Sequence, residues 1–306
     1  MSLIVAKFGG TSVANLRRIE RCIPIIKKLR QNHQVVVVVS AMAGETNRLQ
    51  SYLNAFKKSS SFHDLVLSSG ESITVGLFCL MLEKHGFKAQ SFLGWQVPII
   101  TSSQPTDAVI YDIPSQKIHA ALNDDIVPVI AGFQGVSENG CITTIGRGGS
   151  DTTAVYLAHA LKAYECQIYS DVEGVFTSDP NVISSAKCLE TLTYHEMFQL
   201  SHVGAKVLQL YAAQKALEHQ INVRLLSSFI ECQGTLLTKD IEPQARFASL
   251  YIQDNIGFLV GKNIAQLTSL ASIAPIAPIK FNQNVIKIDL QKHSPKELHD
   301  RLIQLS

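Results

Sequence analysis

The chain has 306 residues, 46% of them hydrophobic and 17% charged, with a formal charge of +2; this is the composition expected of a soluble globular protein with room for one large domain and a small one. Such a balanced charge argues against nucleic acid or an anionic membrane as partner, and no apolar run reaches the roughly 18 residues of a membrane span. Cys22, Cys79, Cys141, Cys166, Cys188 and Cys232 are scattered without metal-ligand spacing, and the N-terminus meets Lys7 too early for a signal peptide, so a cytoplasmic protein with ordinary thiols is expected.

Leu3–Ala6 reads as a strand that ends in Lys7-Phe8-Gly9-Gly10-Thr11-Ser12, after which a helical pattern begins. Glycines let backbone N–H groups approach an anion, a helix N-terminus adds positive dipole, and Lys7 adds a full charge, so phosphate is the expected guest. The order of residues is not that of a P-loop, because the lysine precedes the glycines. Leu16, Ile19, Ile23 and Ile26 recur at helical spacing, with Pro24 inside the run expected to kink or split the helix. Gln34–Ser40 carries five consecutive valines, the pattern of a strand buried on both faces of a parallel sheet. Helices are expected near Thr46–Lys57, Gly70–Lys84 and Ser115–Asn123, with strands near Lys88–Leu93 and Ile126–Gly132. Next come a helix marked by Ala154, Leu157, Ala158 and Leu161, then a strand at Gln167–Asp171. Helices at His195–Ser201 and Ala205–His219 precede strands at Asn222–Ser227 and Thr235–Thr238. This alternation predicts an α/β three-layer sandwich with a mostly parallel central sheet.

A composition break follows Asp240. Beyond it, Ala248–Ile252 and Val285–Leu290 read as strands and Pro295–Leu305 as a helix with proline near its first turn, while Ala271–Lys280 is a poor helix or central strand. Two domains are therefore expected, residues 1–240 and 241–306. The second is either a small α/β unit or an extension packed on the first.

Gly146-Arg147-Gly148-Gly149-Ser150-Asp151 describes a loop wrapped around an anion, with Arg147 offering a planar fork to a carboxylate. Ser150 or Asp151 alone could be no more than an N-cap. Ser69-Gly70-Glu71-Ser72 places a carboxylate at a helix start, where the dipole alone could explain Glu71. Ser40–Asn47, with Thr46, leaves the C-terminal end of the valine strand, where open α/β sheets bind ligands. Ser170–Pro180 leaves another strand into a polar loop. Lys206 falls at a helix start, a position unfavourable to a cation unless an anion binds there.

These motifs together resemble the aspartate kinases of the amino-acid kinase superfamily over residues 1–238. The resemblance lies in Lys7–Ser12, Ser69–Glu71, Gly94-Trp95-Gln96, Ala131–Gly135, Thr144–Thr153 and Asp171–Pro180. It implies MgATP-dependent phosphorylation of the β-carboxylate of L-aspartate to 4-phospho-L-aspartate, the first step toward the aspartate-family amino acids. It further implies phosphate and ATP contacts from Lys7, Phe8, Gly9 and Gly10, and nucleotide contacts from Ser170, Asp171, Phe176, the Asn181 position and Lys206. Aspartate contacts are implied from Thr46, Glu71, Arg147, Ser150 and Asp151, with Lys7, Arg147, Asp151 and Lys206 as the catalytic set. Magnesium would be held by ATP rather than by protein ligands, and a homodimer or higher oligomer is implied.

The chain departs from the family where an arginine is usual and Asn181 stands, where His-Pro is usual and Gln209-Leu210 stands, and where a tyrosine is often found and Phe176 stands. The 66 residues after Asp240 are about enough for one ACT-like module where the family carries two, which predicts weak or absent feedback inhibition by lysine and threonine. A catalytically weak regulatory or assembly subunit is the alternative reading.

Overall fold

The computed structural model describes residues 1–57, 59–146, 148–239, 247–262, 279–282, 284–290 and 294–303. Arg147 and the expected domain boundary after Asp240 lie outside them, as does most of Ala271–Lys280. In chain order the elements begin with β1 (Ser2–Phe8), α1 (Leu16–Leu29), β2 (His33–Val39), α2 (Glu45–Leu53), α3 (Ser61–Lys84), β3 (Ala89–Phe92), β4 (Ile100–Thr101) and β5 (Ile110–Asp112). They continue with α4 (Gln116–Asn123), β6 (Val127–Ala131), β7 (Gln134–Ser137), β8 (Ile142–Thr144), α5 (Gly149–Ala160), β9 (Glu165–Ser170), β10 (Thr191–Thr193), α6 (Tyr194–Val203) and α7 (Leu210–His219). The last are β11 (Val223–Ser227), β12 (Thr235–Thr238), β13 (Ser249–Gln253), β14 (Ile256–Val260), β15 (Ile279–Asn282), β16 (Val285–Asp289) and α8 (Pro295–Ile303). The chain forms two compact units, Met1–Asp171 with Ile221–Cys232, and Val172–Gln220 with Gln233–Ser306.

In the first unit the strands run β11-β9-β1-β2-β6-β3, every neighbouring pair parallel. Alternate residues of β1 face opposite ways. Ala6 and Phe8 join Val35, Val37 and Val39 of β2, Ile19, Ile23 and Ile26 of α1, and Phe78 and Leu82 of α3 in one apolar layer. Lys7 points the other way, to α5. Helices thus cover both faces, as the valine run of β2 predicts. A smaller sheet, β5-β4-β7-β8, was not legible in the sequence, because strands of two to four residues are too short to show a period.

Two helices differ from what the sequence predicts. Helix α1 is not split at Pro24: it runs unbroken over 14 residues, and Pro24 is exposed, so the carbonyl it leaves unpaired can turn to water. Helix α3 starts at Ser61, nine residues earlier than expected, so Glu71 lies in its buried interior and not at its start. Ser60 caps it, its N–H donating to His63 Nδ1 at 3.2 Å. The Leu65-Val66-Leu67 run carries the helix into Gly70, which permits close packing: a Cβ there would stand 2.9 Å from Ala41 Cβ. By length and mean hydropathy α3 could cross a membrane, but half of its most apolar window is buried within the protein, as in a core helix.

In the second unit β10 and β12 pair in parallel, and β13-β14-β16-β15 form an antiparallel sheet. Leu298 and Leu302 of α8 share a core with Leu250, Leu259, Ile286 and Ile288 of that sheet and with Ile183 of the loop before β10. The same loop is tied down by polar contacts: Thr177 Oγ1 lies 2.9 Å from His299 Nε2, Ser178 Oγ donates to Leu250 O at 2.8 Å, and Ser249 Oγ donates to Phe176 O at 2.9 Å.

Close packing at Gly70 predicts that Gly70→Val lowers stability by about 1–3 kcal/mol, from overpacking against Ala41. Urea denaturation measures this, and an unchanged midpoint would show that α3 is free to move away.

Candidate active site

The strands of the first unit run parallel, and at their ends the structure brings together Lys7, Gly9, Gly10 and Asp151, with Glu71 joined to them through Ala41. The loop after β1 is the hub. Gly9 N–H donates to Tyr169 O at the end of β9 (2.9 Å), Ser12 N–H and Val13 N–H close back on Gly9 O (2.9 and 3.2 Å), and Gly10 O accepts from Ala43 N–H (3.1 Å). A Cβ at Gly10 would stand 2.9 Å from Ala41 O, so the loops after β1 and β2 touch through their backbones. Two expectations change. The Gly9 N–H is already spent on Tyr169, and α1 begins only at Leu16, with its first turn capped by Asn15, whose side chain accepts from Arg18 N–H at 3.0 Å. Phe8 is fully buried and stacked on Tyr169, ring centroids 5.0 Å apart, so only its backbone could serve a ligand.

Lys7 and Asp151 face each other across the sheet–helix interface. Lys7 Nζ lies 2.5 Å from Asp151 Oδ1, with the two side chains 9% and 11% exposed. The contact lacks hydrogen-bond angles and leaves Asp151 Oδ1 without such a partner among the described residues; at that separation between opposite charges we read it as an ion pair. Cys166 of β9 lies beside the pair, its thiol pushed up chiefly by burial and further by the charge of Asp151. Neither Ser150 nor Asp151 is the N-cap of α5. That place is taken by Gly148 in the left-handed region (φ 73°), which puts Asp151 in the first turn, where the helix dipole favours a carboxylate. Ser150 is buried beside it.

Glu71 is 3% exposed. One carboxyl oxygen accepts from Ala41 N–H at 3.0 Å, and Oε2 has no hydrogen-bond partner among the described residues. Desolvation pushes its pKa up to about 8, against the lowering effect of the Ala41 N–H. Ala41 therefore joins two parts of the site, its N–H held by Glu71 and its carbonyl packed against Gly10. Gln134, fully buried, ties α3 in place: its amide donates to Ser68 O at 2.6 Å and Ser72 Oγ at 3.1 Å, and its oxygen accepts from Gly94 N–H at 3.0 Å. The roles of Ala41 and Gln134 were not legible in the sequence, although Gln134 lies within a motif singled out there. Thr46 is half-buried in the first turn of α2, Ser170 ends β9, and Asp171 is exposed just beyond it.

In the second unit Phe176 is half-buried, and Asn181 is exposed with its backbone and side-chain N–H groups both turned onto Asp179 Oδ1 (2.8 and 3.0 Å). Lys206 is not at a helix start. Gly204 (φ 111°) ends α6 and Gln209 caps α7, so Lys206 is exposed in the connection between them and the dipole argument for an anion there does not apply.

The model of the Amino acid kinase family matches residues 2–227. The aspartokinase of Rickettsia prowazekii (strain Madrid E) is 45% identical over 263 residues, covering 83% of this chain and 58% of that protein. The aspartate kinase of Pseudomonas fluorescens (strain SBW25) is 49% identical over 247 residues, covering 79% of this chain and 60% of that protein. The chain thus spans about three fifths of the length of these curated relatives. Among solved structures, E. coli aspartokinase III in complex with aspartate and ADP aligns with a TM-score of 0.74 at 25% identity, covering 99% of this chain and 84% of that one. With the family model spanning the parallel sheet and its glycine loop, the chain belongs to the amino acid kinase family.

Proposed function

We propose that this chain phosphorylates the β-carboxylate of L-aspartate with MgATP, giving 4-phospho-L-aspartate. The reading is supported by the names of its relatives, by the aspartate and ADP of the E. coli neighbour, and by one observation above all. A cation, Lys7, beside a glycine loop is paired with the buried carboxyl of Asp151, and Ala41, packed on Gly10 of that loop, gives its N–H to the buried carboxyl of Glu71. A zwitterionic acceptor needs such acids for its ammonium; a triphosphate needs the cation. Arg147 would grip the α-carboxylate, with Thr46 and Ser150 lining the acceptor end. Ser170, Asp171, Phe176, Asn181 and Lys206 would serve the nucleotide.

Aspartate's side chain has an ordinary pKa of about 3.9, so the attacking oxygen is already ionised and no general base is required. The barrier is repulsion between that carboxylate and the phosphates. Lys7, already paired with Asp151, can share its charge with a transferring phosphoryl group without being brought in from water. Magnesium enters with the nucleotide and neutralises part of its charge. Glu71 would bind the ammonium only when ionised, so ligand binding carries the cost of releasing its proton near neutral pH. We further propose a kinase domain at residues 1–240, a short ACT-like or vestigial regulatory region at 241–306, and a cytoplasmic homodimer or larger assembly.

Purified protein incubated with MgATP, L-aspartate and hydroxylamine should accumulate aspartyl hydroxamate. No hydroxamate with any small acid, despite retained nucleotide binding, would overturn the reading in favour of a regulatory subunit. A second expectation follows from Glu71. Because its carboxyl is neutral below about pH 8, kcat/KM for aspartate should rise by up to about tenfold per pH unit from pH 6 to 7.5 and level off above 8. Glu71→Gln should lower kcat/KM and flatten that rise; an unchanged pH profile in the variant would remove Glu71 from ammonium binding.

A further inference from the structure

Two buried hydroxyls stand behind the glycine loop with no part in the chemistry above. Ser12 is 1% exposed and Ser228, in the turn after β11, is 8% exposed. Ser228 Oγ donates to Ser12 Oγ at 2.7 Å, and Ser12 Oγ donates to Tyr169 O at 3.4 Å. Tyr169 O is the same carbonyl that receives Gly9 N–H. Ser228 N–H donates to Ser170 O at 2.9 Å, and its hydroxyl also lies 3.2 Å from that oxygen. The ends of β1, β9 and β11 are therefore stitched through two side chains that could have been alanine. A buried hydroxyl costs free energy unless its hydrogen bonds are made, and here each bond made fixes one loop against another.

We propose that Ser12 and Ser228 are positioning residues for the nucleotide: they hold the Lys7–Gly10 phosphate loop at a set distance from Ser170, so that the triphosphate and the rest of the nucleotide meet preformed partners. The proposal rests on the reading of Lys7–Gly10 and Ser170 as a nucleotide site. Burial keeps both hydroxyls from the ligand, so they act through backbone that the ligand would touch. Tyr169 is the anchor of the stitch. Its ring stacks on Phe8, and its hydroxyl donates to Gln167 Oε1 at 2.7 Å, whose amide donates to Glu165 Oε1 at 2.7 Å. Glu165 in turn takes a two-pronged contact from Arg224, with Nε 3.1 Å from Oε1 and Nη2 3.1 Å from Oε2. This polar ladder runs along one face of β9 and leaves the strand little freedom to slide, so displacement of the loop would come from its own end.

The test uses the full chain and compares wild type with Ser12→Ala, Ser228→Ala and the double variant. MgADP affinity is measured by calorimetry, KM is measured separately for ATP and aspartate, and thermal melting is recorded. Each single variant should weaken MgADP binding and raise the ATP KM about fivefold, the scale of one hydrogen bond, with the aspartate KM unchanged. The double variant should be no worse than either single one, because the two hydroxyls act as one unit. Unchanged MgADP affinity in both single variants would overturn the proposal. So would equal losses for both substrates accompanied by a lower melting temperature, the signature of a merely structural pair. A wild-type chain that bound no MgADP would instead bring down the nucleotide reading itself, and this proposal with it.

Discussion

A lysine on an inner strand of a parallel sheet needs a counter-charge, because the helices that cover such a sheet shut out water. Lys7 finds it in Asp151, one turn into α5 on the opposite wall. Removing one partner of such a pair typically costs about 3–5 kcal/mol, far more than the intact pair contributes. A well-packed apolar pair would serve stability as well, so the charges make sense as a device kept for a ligand. The alternation of β1 sets the arrangement: Phe8 enters the apolar layer under α1 and α3, and Lys7 must point to α5.

The site is built around that pair by close contacts between small residues. Gly10 lets the first loop reach Ala41, and Gly70 lets α3 press against the same alanine. Ala41 then presents its N–H to Glu71, which would otherwise be a buried acid with neither oxygen bonded. Burial leaves Glu71 in a protonated, waiting state near neutral pH, while the ion pair keeps Asp151 matched to a cation. The two acids therefore differ in their partners: Glu71 has a single backbone N–H, and Asp151 has the Lys7 ammonium.

Much of this was legible before the structure. Valines 35–39 point to the parallel sheet, and the Lys7–Gly10 string and the Gly149–Asp151 helix start point to the loop and the helix turn that meet at its strand ends, since periodicity and glycine chemistry are local signals. The start of α3 was not legible, because Gly70 looks like a boundary until its partner Ala41 is known. Lys206 differs for the converse reason: the alanine-rich run after Gly204 has helical composition, yet the helix begins only at Leu210, after Gln209 in an extended conformation. The β5-β4-β7-β8 sheet and the bracing of the Thr177–Ser178 loop by His299 and Leu250 depend on pairings distant in sequence, which no local pattern encodes.

Lys7 and Asp151 are held as one electrostatic unit in a nearly dry site. A double-mutant cycle on stability, with Lys7→Met, Asp151→Asn and both together, measures this directly. Each single change should cost about 3 kcal/mol in urea denaturation, and the double variant should recover at least half of the summed loss. Strictly additive losses, or single variants as stable as wild type, would contradict it.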